Sequence, residues 1–117
     1  MTPETLVRRQ VCAWLTARGY LVFLHDSVGI FDPVKRSYRA NRDPYRRKGV
    51  SDILGLTKSG KLLAVEVKAN KGRPSPEQKQ FVADVRARGG FACIAWSVEE
   101  VKTALEEFER HEKGEAK

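Results

Sequence analysis

Residues 49–68 read GVSDILGLTKSGKLLAVEVK, and the way this stretch folds back on itself decides the fold. Two apolar runs, Val50 to Leu56 and Lys61 to Lys68, flank Lys58-Ser59-Gly60, a three-residue connection with glycine at the position that needs a left-handed backbone. The spacing predicts a β-hairpin in which Thr57 pairs with Lys61 and partner numbers sum to 118. Asp52 then falls opposite Glu66 on the same face, with β-carbons roughly 5 Å apart.

Along the second strand the side chains alternate. Leu63, Val65 and Val67 point one way and Leu62, Ala64, Glu66 and Lys68 the other. A carboxylate and an ammonium at the end of an otherwise apolar strand cost desolvation that a structural role rarely justifies in a small domain. The facing acids Asp52 and Glu66 repel each other unless a divalent cation bridges them. Hard oxygen donors of this kind, with positions left for water and phosphate, suit magnesium or manganese. Lys68, beside them, is placed to orient an attacking water and to offset charge developing on a phosphate. The expected chemistry is metal-assisted phosphodiester hydrolysis.

On the N-terminal side, Thr2-Pro3-Glu4 supplies a cap, a first-turn proline and a first-turn acid, predicting a helix over about residues 3–18. Its buried face carries Val7, Val11, Trp14 and Leu15, which leaves Arg8, Arg9 and Arg18 for solvent. A short strand over Leu21 to Leu24 follows. From Asp32 to Lys48 apolar periodicity disappears, and Lys35, Arg36, Arg39, Arg42, Arg46, Arg47 and Lys48 accumulate with Tyr38 and Tyr45 among them. This reads as a basic loop that binds nucleic acid through phosphates and stacking, or as a solvated charged insertion.

On the C-terminal side, Lys71-Gly72-Arg73-Pro74 is a loop whose two cations extend the basic surface. Ser75-Pro76-Glu77-Gln78 opens a second helix as a capping box, running to about Arg88. Phe91 to Trp96 is a buried strand. Ser97 to Glu100 forms another capping box and starts a last helix with Val98, Val101, Ala104, Leu105 and Phe108 on one side, fraying from Glu109. The expected order is αβββαβ plus a C-terminal helix. It makes one α/β domain over residues 1–110, with a charged tail at 111–117.

Composition agrees with one soluble domain: 117 residues, 41% apolar, 32% charged. The longest apolar run, Phe91 to Trp96, is too short to cross a bilayer, and arginines interrupt the region where a signal peptide would be apolar. The expectation is a cytoplasmic protein with no membrane partner. Cys12 and Cys93 are isolated and read as small buried residues, and neither His25 nor His111 has a second ligand at motif spacing. A net charge of +7 favours a polyanion as partner, with solubility as the plainer reading.

These residues resemble the PD-(D/E)xK nuclease superfamily, and within it the stand-alone virus-type replication-repair nucleases, VRR-NUC. The matching points are Glu4 in the first helix, Gly49-Val50-Ser51-Asp52 before the hairpin, Glu66-Val67-Lys68, and Gln78 early in the next helix. The resemblance implies a restriction-endonuclease-like core with a mixed central sheet flanked by helices. It implies that Asp52, Glu66 and the Val67 carbonyl hold Mg²⁺ or Mn²⁺, that Glu4 completes the acidic cluster, and that Lys68 and Gln78 assist catalysis. Arg42, Arg46, Arg47, Lys48, Lys71 and Arg73 are the expected DNA contacts. Ser51 departs from the proline usual in the family. Glu4 and Gln78 also have readings as a dipole-complementing acid and a capping residue. The implied activity is a homodimeric endonuclease of phage type acting on branched DNA such as a Holliday junction, with no small-molecule substrate. The competing reading is a non-catalytic DNA-binding module with its acids in ordinary ion pairs.

Overall fold

The computed structural model describes residues 1–26, 30–39 and 43–114. Helix α1 (Pro3–Ala17) starts at Thr2, whose Oγ1 accepts the Thr5 N–H, and opens with Pro3, where a missing N–H is no loss. Strand β1 (Leu21–Leu24) follows. Next come β2 (Ile30–Asp32) and β3 (Ser37–Arg39), which pair with each other as a separate antiparallel ribbon. Strands β4 (Ile53–Leu56) and β5 (Leu62–Val67), helix α2 (Pro76–Ala87), strand β6 (Phe91–Ala95) and helix α3 (Val98–Glu112) complete the order. The main sheet runs β1-β4-β5-β6, antiparallel except for the parallel β5–β6 pair. This is the mixed-sheet α/β architecture with a C-terminal helix that the sequence predicts.

The hairpin register is the predicted one. Ile53 faces Val65 and Leu56 faces Leu62, while Gly60 supplies the left-handed turn at φ +86°. One face of the sheet is covered by α1 and α3 over Val11, Leu15, Ile53, Leu63, Val65, Val67, Val101 and Leu105, all fully buried. Burying each of these side chains contributes about 1.5–3 kcal/mol. The other face receives α2, where Ala64 and Ala92 are small enough for Val82 and Val85 to seat closely. That helix leaves part of its face bare. Leu21, Leu56 and Leu62 form a row across β1, β4 and β5 that is 58%, 43% and 42% exposed, with Phe23 beside it on the edge strand.

Two expectations are corrected. The segment expected to be a loop from Asp32 contains the end of β2 and all of β3, because two short runs there pair with each other rather than with the main sheet. Helix α3 runs through Glu112 instead of fraying from Glu109. Glu109 is held by Arg18 at 2.7 Å and by the Tyr20 hydroxyl, and Glu112 by Ser59 at 2.7 Å and Lys61 at 3.0 Å. Among the described residues no helix is long and apolar enough to cross a membrane.

Candidate active site

The hairpin ladder stops one residue before Asp52, and the reason is visible in the hydrogen bonds. In the 118 register the Val67 N–H would continue the ladder opposite residue 51. Instead it donates to Asp52 Oδ1 at 3.1 Å. The Asp52 carbonyl is taken on the other side by the His25 N–H at 2.8 Å, so the residue is fixed by both neighbouring strands. Its second oxygen, Oδ2, lies 3.6 Å from Arg8 Nη1. Glu66, next in register and only 5% exposed, has its Oε2 3.6 Å from Lys68 Nζ. The structure thus brings Asp52, Glu66 and Lys68 together at one end of the sheet, with Arg8 closing the cluster from α1.

The electrostatics are those of two acids drawn out of water beside each other. Burial first, and the Asp52 charge second, push the Glu66 carboxyl up to about 7, against the pull of Lys68. Burial also raises Asp52, against the Val67 N–H and Arg8, while the charge on Glu4 adds to the rise. No group of three or more acid, histidine or cysteine side chains close enough to share a metal is found among the described residues. Cys12 lies on the same helix stripe as Glu4 and Arg8. Burial and then the Asp52 charge raise its thiol.

Gly49 explains how the motif loop reaches this place. Its φ is +81°, and a β-carbon there would sit 2.4–2.6 Å from the backbone of Glu77 and Gln78, so the loop lies directly against the first turn of α2. Gln78 forms the predicted capping box: its Oε1 accepts the Ser75 N–H at 2.9 Å and its own N–H donates to Ser75 Oγ at 3.1 Å. Ser51 is fully buried and its hydroxyl has no hydrogen-bond partner among the described residues.

The expected DNA contacts separate into two kinds. Arg46, Lys48, Lys71 and Arg73 are exposed. Arg47 is instead engaged with α2, 2.6 Å from Asp84 and stacked over the Phe81 ring. Arg42 and the side chains of Tyr38 and Arg39 lie outside the described residues. Sequence reasoning missed Arg8, assigning it to solvent. Its spacing of four from Glu4 is the signal that could have found it, because the two share one helix stripe.

Comparison with known proteins follows the same lines. A structure described as a VRR_NUC domain superposes with a TM-score of 0.63 at 25% identity, covering 91% of this chain and 97% of that one. A comparison with curated proteins matches none. Residues 33–99, which contain Asp52, Glu66, Lys68 and Gln78, match the VRR-NUC domain family. With more than half of its length matched and the acid-acid-lysine cluster in place, the chain belongs to the VRR-NUC family of PD-(D/E)xK-type nucleases.

Proposed function

We propose that the protein is a metal-dependent endonuclease that hydrolyses phosphodiester bonds in DNA, with a preference for branched substrates. The observation that carries this reading is the convergence of Asp52 and Glu66 at the sheet end with Lys68 3.6 Å from Glu66. The donor set fits a hard divalent cation. Two partly desolvated carboxylates sit side by side with raised pKa values. A residue's carbonyl leaves an extended strand on the same side as its N–H, so the Val67 carbonyl is directed toward Asp52. Asp52, Glu66 and that carbonyl would hold Mg²⁺ or Mn²⁺, with Glu4 as the outer acid. When bound, the cation would supply charge neutralisation at the phosphate and a lower pKa for an attacking water.

The chain's own residues then divide the work. Lys68, fixed by Glu66, holds the water in line and offsets charge on the phosphate. Gln78, on the helix turn packed against Gly49, is assigned an assisting role through its amide NH₂, its Oε1 being held by the Ser75 N–H. Arg46, Lys48, Lys71 and Arg73 bind the DNA backbone without reading sequence, and Arg42 is assigned to the same surface. A second copy docking on the row of Leu21, Leu56 and Leu62 would give the paired sites that a four-way junction requires.

The test is cleavage of labelled four-way junction and matched linear duplex by wild type, Asp52→Ala and Lys68→Ala, in Mg²⁺, Mn²⁺ or chelator. Metal-dependent cutting that falls about 10²–10⁴-fold in both variants, with DNA affinity retained, is the expected result. Metal-independent binding without cutting on either substrate would favour the non-catalytic DNA-binding module.

A further inference from the structure

We infer that Arg8 is a substrate-binding residue of this site: its guanidinium holds Asp52 in the metal-free protein and passes to the scissile phosphodiester once a cation takes Asp52. This rests on the metal-dependent reading above.

Arg8 is on the inward stripe of α1 with Glu4 and Cys12, and its side chain is 27% exposed, whereas Arg9, one residue on, points to solvent. The helix does not need Arg8 for anchorage, since Val11 and Leu15 bury it in the core and Thr2 caps it. The ion pair is directed at one oxygen. Asp52 Oδ1 is committed to the Val67 N–H, so Oδ2 is the oxygen left for a cation, and that is the one Arg8 faces. At 3.6 Å the contact is a charge pair rather than a tight hydrogen bond, which leaves the donor fork of the guanidinium available.

Charge counting points the same way. With Asp52 and Glu66 ionised, the positive charges of Lys68 and Arg8 balance them. Glu4 adds one negative charge to the surroundings, so a divalent cation would leave an excess of about one positive charge, which a phosphodiester anion offsets. A cation on Oδ2 would repel the guanidinium that faces the same oxygen, and a guanidinium displaced from a carboxylate at the mouth of a nuclease site has the phosphate as its natural partner. The planar fork matches two phosphate oxygens, as an ammonium does not.

Two variants separate this role from a structural one. Arg8→Met removes the charge and keeps the length, and Arg8→Lys keeps the charge and loses the fork. Calorimetric titration of DNA-free protein with Mn²⁺ should show Arg8→Met binding roughly three- to tenfold tighter than wild type, because a competitor and a like charge are gone. Cleavage at saturating metal should nevertheless fall about 10²-fold or more, and Arg8→Lys should bind Mn²⁺ as wild type does and cut about tenfold slower. Opposite signs for metal affinity and turnover are not produced by a loosened fold. Unchanged or weaker Mn²⁺ binding by Arg8→Met, or wild-type cutting by either variant, overturns the inference. If Arg8→Met does not fold, the cutting rate of Arg8→Lys decides. Wild type that binds no Mn²⁺ and cuts no DNA removes the metal-dependent reading itself, and the inference with it.

Discussion

Replacing Glu66 by glutamine should make the metal-free protein more stable, and increasingly so as the pH rises. Glu66 is 5% exposed, and its titration is moved from 4.5 to about 7 by burial and by Asp52. At about 1.4 kcal/mol per pH unit, the ionised carboxylate costs the fold roughly 3 kcal/mol. The sign follows from proton affinity. The folded chain holds this proton more tightly than the unfolded one, so the stabilisation is full below about pH 4.5 and is lost as the pH rises through about 7. Glutamine cannot ionise, so the stability difference between Glu66→Gln and wild type should widen by about 3 kcal/mol between roughly pH 4.5 and pH 8.5. Contributions that do not vary with pH, such as altered amide hydrogen bonds, cancel in that comparison. Urea denaturation of both proteins in chelator, across this range, measures it. Saturating Mg²⁺ should restore stability to wild type at high pH and do little for the variant, because cation binding favours the ionised carboxylate. Stability curves that stay parallel within about 1 kcal/mol from acid to base would refute the reasoning.

Gly49→Ala should cost about 3 kcal/mol or more in urea denaturation, since it combines a left-handed φ with a β-carbon inside the backbone of α2; a loss under about 1 kcal/mol would mean the loop yields easily. Arg46→Ala with Lys48→Ala should lower the slope of log DNA affinity against log salt by about 2 and leave the melting temperature unchanged. Arg47→Ala should do the reverse, lowering the melting temperature with little effect on the salt slope, because its guanidinium is held by Asp84 and Phe81. Light scattering should find wild type dimeric and Leu56→Lys monomeric; a monomeric wild type would free the exposed leucine row from that role.

The sequence by itself determined the hairpin and what it carries. A three-residue turn with glycine third admits one register, and that register places Asp52 beside Glu66 and sets Lys68 two residues further on. The helix starts were equally legible, because Thr2, Ser75 and Ser97 act on N–H groups three residues away. At the last of these the agreement is partial, as Glu100 reaches back to the Trp96 N–H and not to that of Ser97. Such features are local, and a few neighbouring residues decide them.

Contacts between segments far apart in the chain were decided only by the tertiary structure. Arg8 reads as a solvent residue on its own helix, and its meeting with Asp52 depends on how α1 packs on the sheet. Arg47 reads as a DNA contact on its own loop, and its pairing with Asp84 and Phe81 depends on where α2 packs. The last turn of α3 reads as a fraying tail because its anchors, Arg18, Tyr20, Ser59 and Lys61, come from the connection between α1 and β1 and from the hairpin turn. Long charged side chains reach several ångströms from their own backbone, so their partners are set by which elements the core brings together.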